Sequence, residues 1–561
     1  MRQDELVTDA TPILLVQPEA WAAADPDASN RALLAQGVGD VDFLGQHFST
    51  KLQFGTAGLR APRGLGPARM NRVTVRVTAR AIGLHLMDSG LHQNGVVIGY
   101  DARPDADIYA LDTALLLTKL GVPCLLINDP CPTPVVVWHQ KMRAAAGAIV
   151  VTASHNPAED SGYKVYGSDG TQIRPPVDQE IESLMDFSDL PGEEDLASQE
   201  EIQYLSGSAA VAGYIENVVP SNTSRKSELP FPQWVYTPLC GVGGATMEAA
   251  CTSAGFPLPV RVDAQFEPNG LFPDLPFPNP EEPGVLDAAL AVADAHDAEL
   301  VLANDPDGDR LAVAIKVGVE WHQLTGDELG LLLCDHQLAT TSGNNRLTAS
   351  SFVSSEAVQA LCNERGVEHI RTLTGFKWIM EPAVLRTDSS WIFGYEEALG
   401  YSVNDLVLDK DGISAAIAFL ELVQRLRDRD VDPLTRLDEL AKEVGLYVTR
   451  QASGQFEASD IEETLSALRN DPPDVLMGSP VIGVADWSEE PAPFSANLLE
   501  FRSSNGVRMA IRPSGTEPKV KIYLEQFVAS PQGNLKDLRD GSSKLLESLG
   551  AEALSWFDGQ M

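Results

Sequence analysis

The sequence predicts an α/β protein with mostly parallel sheets, built in about four pieces. Two observations give the class. Short apolar runs of strand-like composition alternate with helix-like segments along the whole chain, and such alternation favours helices packed on a parallel sheet. Stretches rich in Pro, Ser and Asn interrupt it at residues 218–233, 338–350 and 447–460, where linkers are expected. The length agrees: 561 residues, at roughly 100–200 per domain, allow three or four domains.

The elements follow in order. "GVVIGYDAR" (95–103) is β-rich and ends in polar residues, and "YALDTALLLTKLG" (109–121) is an amphipathic helix stopped by Gly121. "VPCLLIND" (122–129) and "AAAGAIVVTA" (144–153) are the next strands. Later, "AALAVADAHDA" (288–298) predicts a helix and "ELVLAND" (299–305) a strand. "ISAAIAFLELVQRLRD" (413–428) places Ile413, Ile417, Leu420 and Val423 on one helical face. No short tandem repeat is present; three pieces of similar βαβ rhythm fit an old duplication.

Composition removes several function classes. The chain is 44% hydrophobic, enough for a core and against disorder. Its 80 acidic and 41 basic residues give a net charge of −39. Such a surface does not suit nucleic acid, whose phosphates need basic partners. A small phosphorylated ligand remains possible, because a few cations in a cleft outweigh a distant acidic shell screened over about 10 Å. Cys124, Cys131, Cys240, Cys251, Cys334 and Cys362 form no C-x-x-C pair, as expected of reduced thiols in a cytoplasmic protein. The first 17 residues show no secretory signal pattern, and no run approaches the ~20 apolar residues of a membrane span.

Ligands of open α/β sheets bind beyond the carboxyl ends of strands, and four polar clusters follow apolar runs. The first is "VTASHNPAED" (151–160), with Ser154 beside His155. No G-x-S-x-G elbow occurs anywhere, which disfavours acyl transfer. Ser154 is either a phosphoryl carrier or a turn serine bonded to nearby backbone. The second is "NDPDGDRLAV" (304–313), where Asp305, Asp307 and Asp309 alternate in a tight loop. Three such carboxylates either form a solvated acidic turn or, at the end of an apolar strand, need a hard cation, most simply Mg²⁺, between them to remove their repulsion. An EF-hand is excluded by Arg310 and Lys316, where that loop needs Gly and Glu. The third is "IRPSGTEPKVKIYLE" (511–525): Arg512, Ser514, Gly515, Thr516 and Lys519 form either a phosphate cradle of cations, hydroxyls and free backbone or an exposed turn before the strand "VKIYL". The fourth is "FGYEEALGYS" (393–402), whose Glu396 and Glu397 suit sugar hydroxyls or simply face water.

Taken together, "FGTAGLR" (54–60), "TASHNP", "DPDGDR", "LTGFKW" (373–378), "GYEEALG" and "RPSGTEPK" resemble, in order and spacing, the α-D-phosphohexomutase family of phosphoglucomutases and phosphomannomutases. The "FGTAGLR" form, the N-terminal extension and "TLTGFKWI" look nearest the phosphoglucomutase/phosphopentomutase subgroup. The resemblance implies four domains around a central cleft, three related α/β domains with mixed sheets and a smaller C-terminal α+β domain. Their expected ranges are 1–225 with the phosphoserine loop, 226–340 with the metal loop, 341–452 with the sugar loop and 453–561 with the phosphate loop.

It also implies a reaction: interconversion of hexose 1- and 6-phosphates, glucose foremost, through phosphorylated Ser154 and a 1,6-bisphosphate that is also the activator. One Mg²⁺ per chain would be held by Asp305, Asp307, Asp309 and Ser154. Arg60, His155 and Lys164 would surround the nucleophile, Lys164 either as general base or acid, with a lowered pKa, or as a phosphate-pairing cation. Arg310, Thr374, Gly375, Glu396 and Lys410 would contact substrate, and residues 512–519 the non-reacting phosphate. Ala398 stands where many relatives have Ser, which removes a hydroxyl contact and leaves mannose and pentose phosphates open as substrates. Cys240 stands where relatives often have His. Two rivals use the same motifs: a phosphatase with an Asp nucleophile, which leaves Ser154 and 512–519 unexplained, and a silent sugar-phosphate sensor, which has no need of serine and triplet together. The expected partners are sugar phosphates, with no nucleic acid or membrane, and the oligomeric state is open.

Overall fold

The structure is a computed structural model that describes residues 13–55, 57–219, 229–490, 495–513 and 519–558. Four sheets follow one another along the chain. The first has β1 (Leu59–Pro62), β2 (Val96–Tyr100), β3 (Cys124–Ile127), β4 (Gly147–Val151), β5 (Asp160–Tyr166) and β6 (Gln203–Leu205), in the order β1-β5-β4-β2-β3-β6. The second has β7 (Trp234–Thr237), β8 (Val260–Arg261), β9 (Leu300–Ala303), β10 (Ala312–Val317) and β11 (Glu320–Gln323), in the order β11-β10-β9-β7-β8. The third has β12 (Arg346–Ser351), β13 (Glu368–Thr372), β14 (Ser390–Glu396) and β15 (Gly400–Ser402), in the order β13-β12-β14-β15.

All three share one plan. A parallel core, joined by helical crossovers, ends in an antiparallel hairpin: β4–β5, β9–β10 and β14–β15. The sheets are therefore mixed rather than simply parallel. The reason is connection length. The links 152–159, 304–311 and 397–399 are shorter than the dozen or so residues that a parallel crossover needs.

The fourth sheet is antiparallel throughout: β16 (Leu446–Gln455), β17 (Val475–Leu476), β18 (Ser479–Asp486), β19 (Leu499–Ser503), β20 (Val507–Pro513) and β21 (Lys519–Val528), in the order β16-β21-β20-β19-β18-β17. The polar stretch 447–460, expected as a linker, is mostly strand β16. It pairs with β21 from Leu446↔Val528 to Gln455↔Lys519, so residue 452 lies inside a strand. Its side chains are mostly half-buried or exposed, and that polar composition made it look like a loop. Of the linker expected at 218–233, residues 220–228 lie outside the described residues.

The helix expected at 413–428 runs from Gly412 to Arg427, with the Asp411 side chain accepting the N–H groups of Ile413 and Ser414. Ile413, Ile417, Leu420 and Val423 are buried as expected, but so is most of the opposite face, because this helix sits in the core shared by the first three sheets. The N-terminal extension contributes helices whose Trp21 and Phe48 pack on the first sheet's other layer. Among the described residues, no helix is long and apolar enough to cross a membrane.

Candidate active site

The three equivalent hairpins carry the three polar loops found in the sequence. In the β4–β5 loop, Ser154 is buried and has φ of 52°, a left-handed conformation costly for a residue with a Cβ. Its neighbours enforce it. The Ser154 N–H donates to Thr152 Oγ1 (2.8 Å), and Thr152 Oγ1 donates to Asp101 Oδ2 (2.6 Å). Arg103, itself buried, donates to the carbonyl oxygens of Ser154 (2.7 Å), Asn156 (2.6 Å), Pro157 (2.6 Å) and Asp160 (3.0 Å). Asp101 and Arg103 were missed as site residues. Their signal was "YDAR", which ends β2, the strand beside β4.

Ser154 Oγ donates to Asp305 Oδ2 at 2.7 Å across the cleft between the first two sheets. In the β9–β10 loop, Gly308 takes φ of 72° and lets the chain turn so that Asp305, Asp307 and Asp309 converge. Each offers an oxygen within 4.8 Å of the others, and all three are fully buried. Asp305 Oδ1 accepts the backbone N–H groups of Asp309 (3.1 Å) and Arg310 (3.0 Å). Asp307 Oδ2 accepts from Thr133 Oγ1 and Lys164 Nζ, both at 2.6 Å. Asp309 Oδ2 accepts from Lys164 Nζ (2.6 Å) and pairs with Lys410 Nζ (2.9 Å). Asp307 Oδ1 and Asp309 Oδ1 are buried with no hydrogen-bond partner. Buried carboxylate oxygens without partners, in a triplet this close, are unfavourable without a cation, so the triplet fits a divalent metal with hard oxygen ligands.

Electrostatics agree. Burial, and then the charges of Asp309 and Asp307, push Asp305 up to about 8. Burial opposes ionisation of Asp307 too, but the Lys164 ammonium overcomes it and holds that carboxyl well below the usual range. Lys164 was expected either with a lowered pKa, as general base or acid, or as a phosphate-pairing cation. Burial pulls its pKa down, and Asp307 and Asp309 outweigh burial and raise it, which favours the cation.

His155 Nδ1 lies 3.1 Å from Ser154 Oγ, and its ring meets Phe277 edge-on with centroids 5.9 Å apart. Burial and the nearby Arg310 and Arg60 push its pKa well below the ordinary value, so it is neutral at pH 7. Arg60, on β1, reaches Asn156 Oδ1 at 3.3 Å and leaves its Nε buried and unpaired. Arg310 Nη1 pairs with Glu281 Oε2 at 3.0 Å, another residue the sequence did not single out.

The β14–β15 hairpin separates its two glutamates. Half-buried Glu397 accepts from Ser351 Oγ (3.0 Å) and Ser354 Oγ (3.1 Å) of the third sheet's first strand and the turn after it. Glu396 lies beside Lys410, and burial raises its pKa to about 7 against the pull of that ammonium. Gly400 makes room for both: a Cβ there would lie 2.8 Å from Lys410 Cδ and 3.0 Å from Glu396 Oε1. Thr374 and Gly375 (φ 111°) occupy the turn after β13. Among the described residues, neither is hydrogen-bonded to the serine or aspartate loops. Arg512 lies next to the last residue of β20 and Lys519 begins β21; Ser514, Gly515 and Thr516 lie outside the described residues.

Comparison with known proteins puts this geometry in context. Four family models, the phosphoglucomutase/phosphomannomutase α/β/α domains I, II and III and C-terminal domain, match residues 51–190, 212–318, 325–444 and 468–537. The chain is similar to a Haemophilus influenzae protein named "Probable phosphomannomutase", 38% identical over 82% of this chain and 94% of that one. It is also similar to the phosphopentomutase of Mus musculus, 32% identical over 93% of this chain and 91% of that one. Among solved structures, the Paramecium phosphoglucomutase parafusin, in an open form, has a TM-score of 0.66, covering 89% of this chain and 97% of that one. Its 17% identity bears on the fold alone.

Proposed function

The chain belongs to the phosphoglucomutase/phosphomannomutase family of phosphosugar mutases, and we propose that it interconverts hexose 1-phosphate and hexose 6-phosphate, glucose first, through a phosphorylated Ser154. The observation that carries this reading is Ser154 Oγ, fixed in a left-handed turn 2.7 Å from Asp305. A serine fixed by its backbone and aimed at a carboxylate triplet suits group transfer, which depends chiefly on positioning and charge.

The sugar hydroxyl oxygen attacks phosphorus, its bond to Ser154 Oγ breaks, and a sugar 1,6-bisphosphate forms. After the intermediate turns over in the cleft, Ser154 Oγ attacks the other phosphate, and that phosphorus–sugar oxygen bond breaks. A Mg²⁺ ion would be held by Asp305, Asp307 and Asp309 together with phosphorylated Ser154, and when bound would supply Lewis-acid stabilisation of the transferring group. Lys164 begins as the proton donor to the departing Ser154 oxygen, and the proton released by the attacking sugar hydroxyl restores its ammonium, so that one proton passes in net from the sugar to Ser154 Oγ. Arg60 and neutral His155 line the serine side. Arg310, Thr374, Gly375, Glu396 and Lys410 take the sugar, and Arg512 to Lys519 the resting phosphate. Cytoplasmic residence is supported by six buried, unpaired thiols.

A second reading, turnover of pentose phosphates, is favoured by the phosphopentomutase similarity across nearly the full chain and by Ala398. Intact-mass and peptide analysis should find phosphate on Ser154 of the isolated protein. Ser154→Ala should lose at least ~10⁴-fold in turnover, on the scale seen when a nucleophile is removed. A Ser154→Ala protein of undiminished rate would sink the mechanism. Comparing kcat/KM for glucose, mannose and ribose 1-phosphates decides between the two readings.

A further inference from the structure

We propose that Asp409 is a positioning residue for Lys410, held in place by Tyr166 and Gln172 from the first domain. The inference rests on the mutase reading, which makes Lys410 a substrate-side cation.

Asp409 lies between β15 and the helix Gly412–Arg427 and is buried. Its Oδ2 accepts from Tyr166 OH and from Gln172 Nε2, each at 2.7 Å. Its Oδ1 accepts the backbone N–H of Lys410 at 2.8 Å and lies 4.0 Å from Lys410 Nζ. Both oxygens are therefore occupied, one by the first domain and one by the residue it directs. A carboxylate with two donors on one oxygen cannot rotate away without leaving buried polar groups unpaired, which costs more than the bonds contribute.

The contacts close into a ring. Lys164 and Tyr166 lie two apart on β5 and so share a face. Lys164 reaches Asp309 in the second domain, and Asp309 holds Lys410 at 2.9 Å. Lys410 is backed by Asp409, and Asp409 returns to Tyr166. Three domains are thus joined through side chains at the reaction centre. Lys410 passes over Gly400, where a Cβ would lie 2.8 Å from its Cδ, so its path is confined as well as its end. A sugar phosphate entering the cleft meets an ammonium already aimed, and little ordering remains to be done on binding.

The test is a double-mutant cycle on the full chain, with Tyr166→Phe, Lys410→Met and both together. KM and kcat for glucose 1-phosphate are read alongside melting temperature. Tyr166→Phe should raise KM about tenfold, the scale of one hydrogen bond to a charged group, and change kcat much less. In the Lys410→Met background it should raise KM no further, while lowering the melting temperature by the same amount as in wild type. Gln172→Leu removes the other donor and should repeat the pattern if Tyr166→Phe folds poorly. Additive KM effects, or an unchanged KM in Tyr166→Phe or Lys410→Met, would overturn the inference while phosphate on Ser154 still upheld the mutase reading. Wild-type protein with neither phosphate on Ser154 nor turnover would overturn both.

Discussion

The first three domains and the fourth are held by different forces. The first three share one continuous core, running from Val97 and Trp138 in the first domain through Met247 to Ile417 and Leu440. The fourth keeps a core of its own around Leu465, Phe501, Leu524 and Leu546. It meets the third over two small apolar patches, Val353 with Leu498, Ala510 and Tyr523, and Ala441 with Leu446 and Leu535. Much of the rest of that junction is charge. Arg502 pairs with Glu356 (2.5 and 3.1 Å), Glu356 donates its backbone N–H to Glu525 (3.0 Å), and Arg508 donates to the carbonyls of Phe352 and Ser354 (2.8 Å each). A shared apolar core is costly to open and suits a centre that must keep Ser154 and three aspartates in register. A polar junction resembles a transient interface and would suit the proposed mechanism, in which an intermediate has to turn in the cleft.

The largest expected effect lies on the rigid side. Asp307→Asn removes charge from the triplet and weakens the hold on Lys164, and turnover should fall on the order of 10³-fold, the several kcal/mol a catalytic metal supplies. Chelation should do the same and added Mg²⁺ should restore it, as a mutase rate assay shows. Undiminished rates in both cases would remove the reason for so rigid a centre.

Core substitutions should separate the two regions directly. Ile417→Ala, in the shared core, should cost about 3 kcal/mol and lower the main calorimetric transition, because burial there couples three domains. Leu546→Ala, equally buried, should cost a similar amount but lower only a transition belonging to the fourth domain. If both variants shift one single transition, the fourth domain's separate core is not a separate folding unit.

The same contrast explains how far the sequence could be read. Strand–helix alternation and the apolar face of the helix Gly412–Arg427 were legible, because parallel cores are written in contiguous apolar runs. The serine and aspartate loops were legible because each follows such a run. Strand β16 was not, since its half-exposed polar residues look like a linker until β21 is found beside it. Glu281, Tyr166 and Asp409 were missed for another reason. Each acts through partners 29 to 243 positions away, and no local spacing announces such contacts. Lys164 was found, but the sequence left its charge state open: the carboxylates that raise its pKa stand more than 140 positions along the chain.

The smallest effect is a pH dependence at the junction. Glu356 has its pKa lowered from 4.5 to about 2; burial opposes this, and the hydrogen bond to Arg502 with the charges of Arg508 and Arg371 overcomes it. A carboxylate whose pKa is lower folded than unfolded binds fewer protons when folded, so its stabilisation is complete above about 4.5 and is lost as pH falls toward about 2. Arg502 is substantially exposed, which keeps the contribution modest. In calorimetry, the fourth domain's transition should drop away from the main one between those pH values. Glu356→Gln should bring that separation to neutral pH and remove Glu356's share of the acid dependence, leaving the response of the other carboxylates. If wild type and Glu356→Gln respond identically to acid, the junction is held by its apolar patches, and its likeness to a transient interface fails.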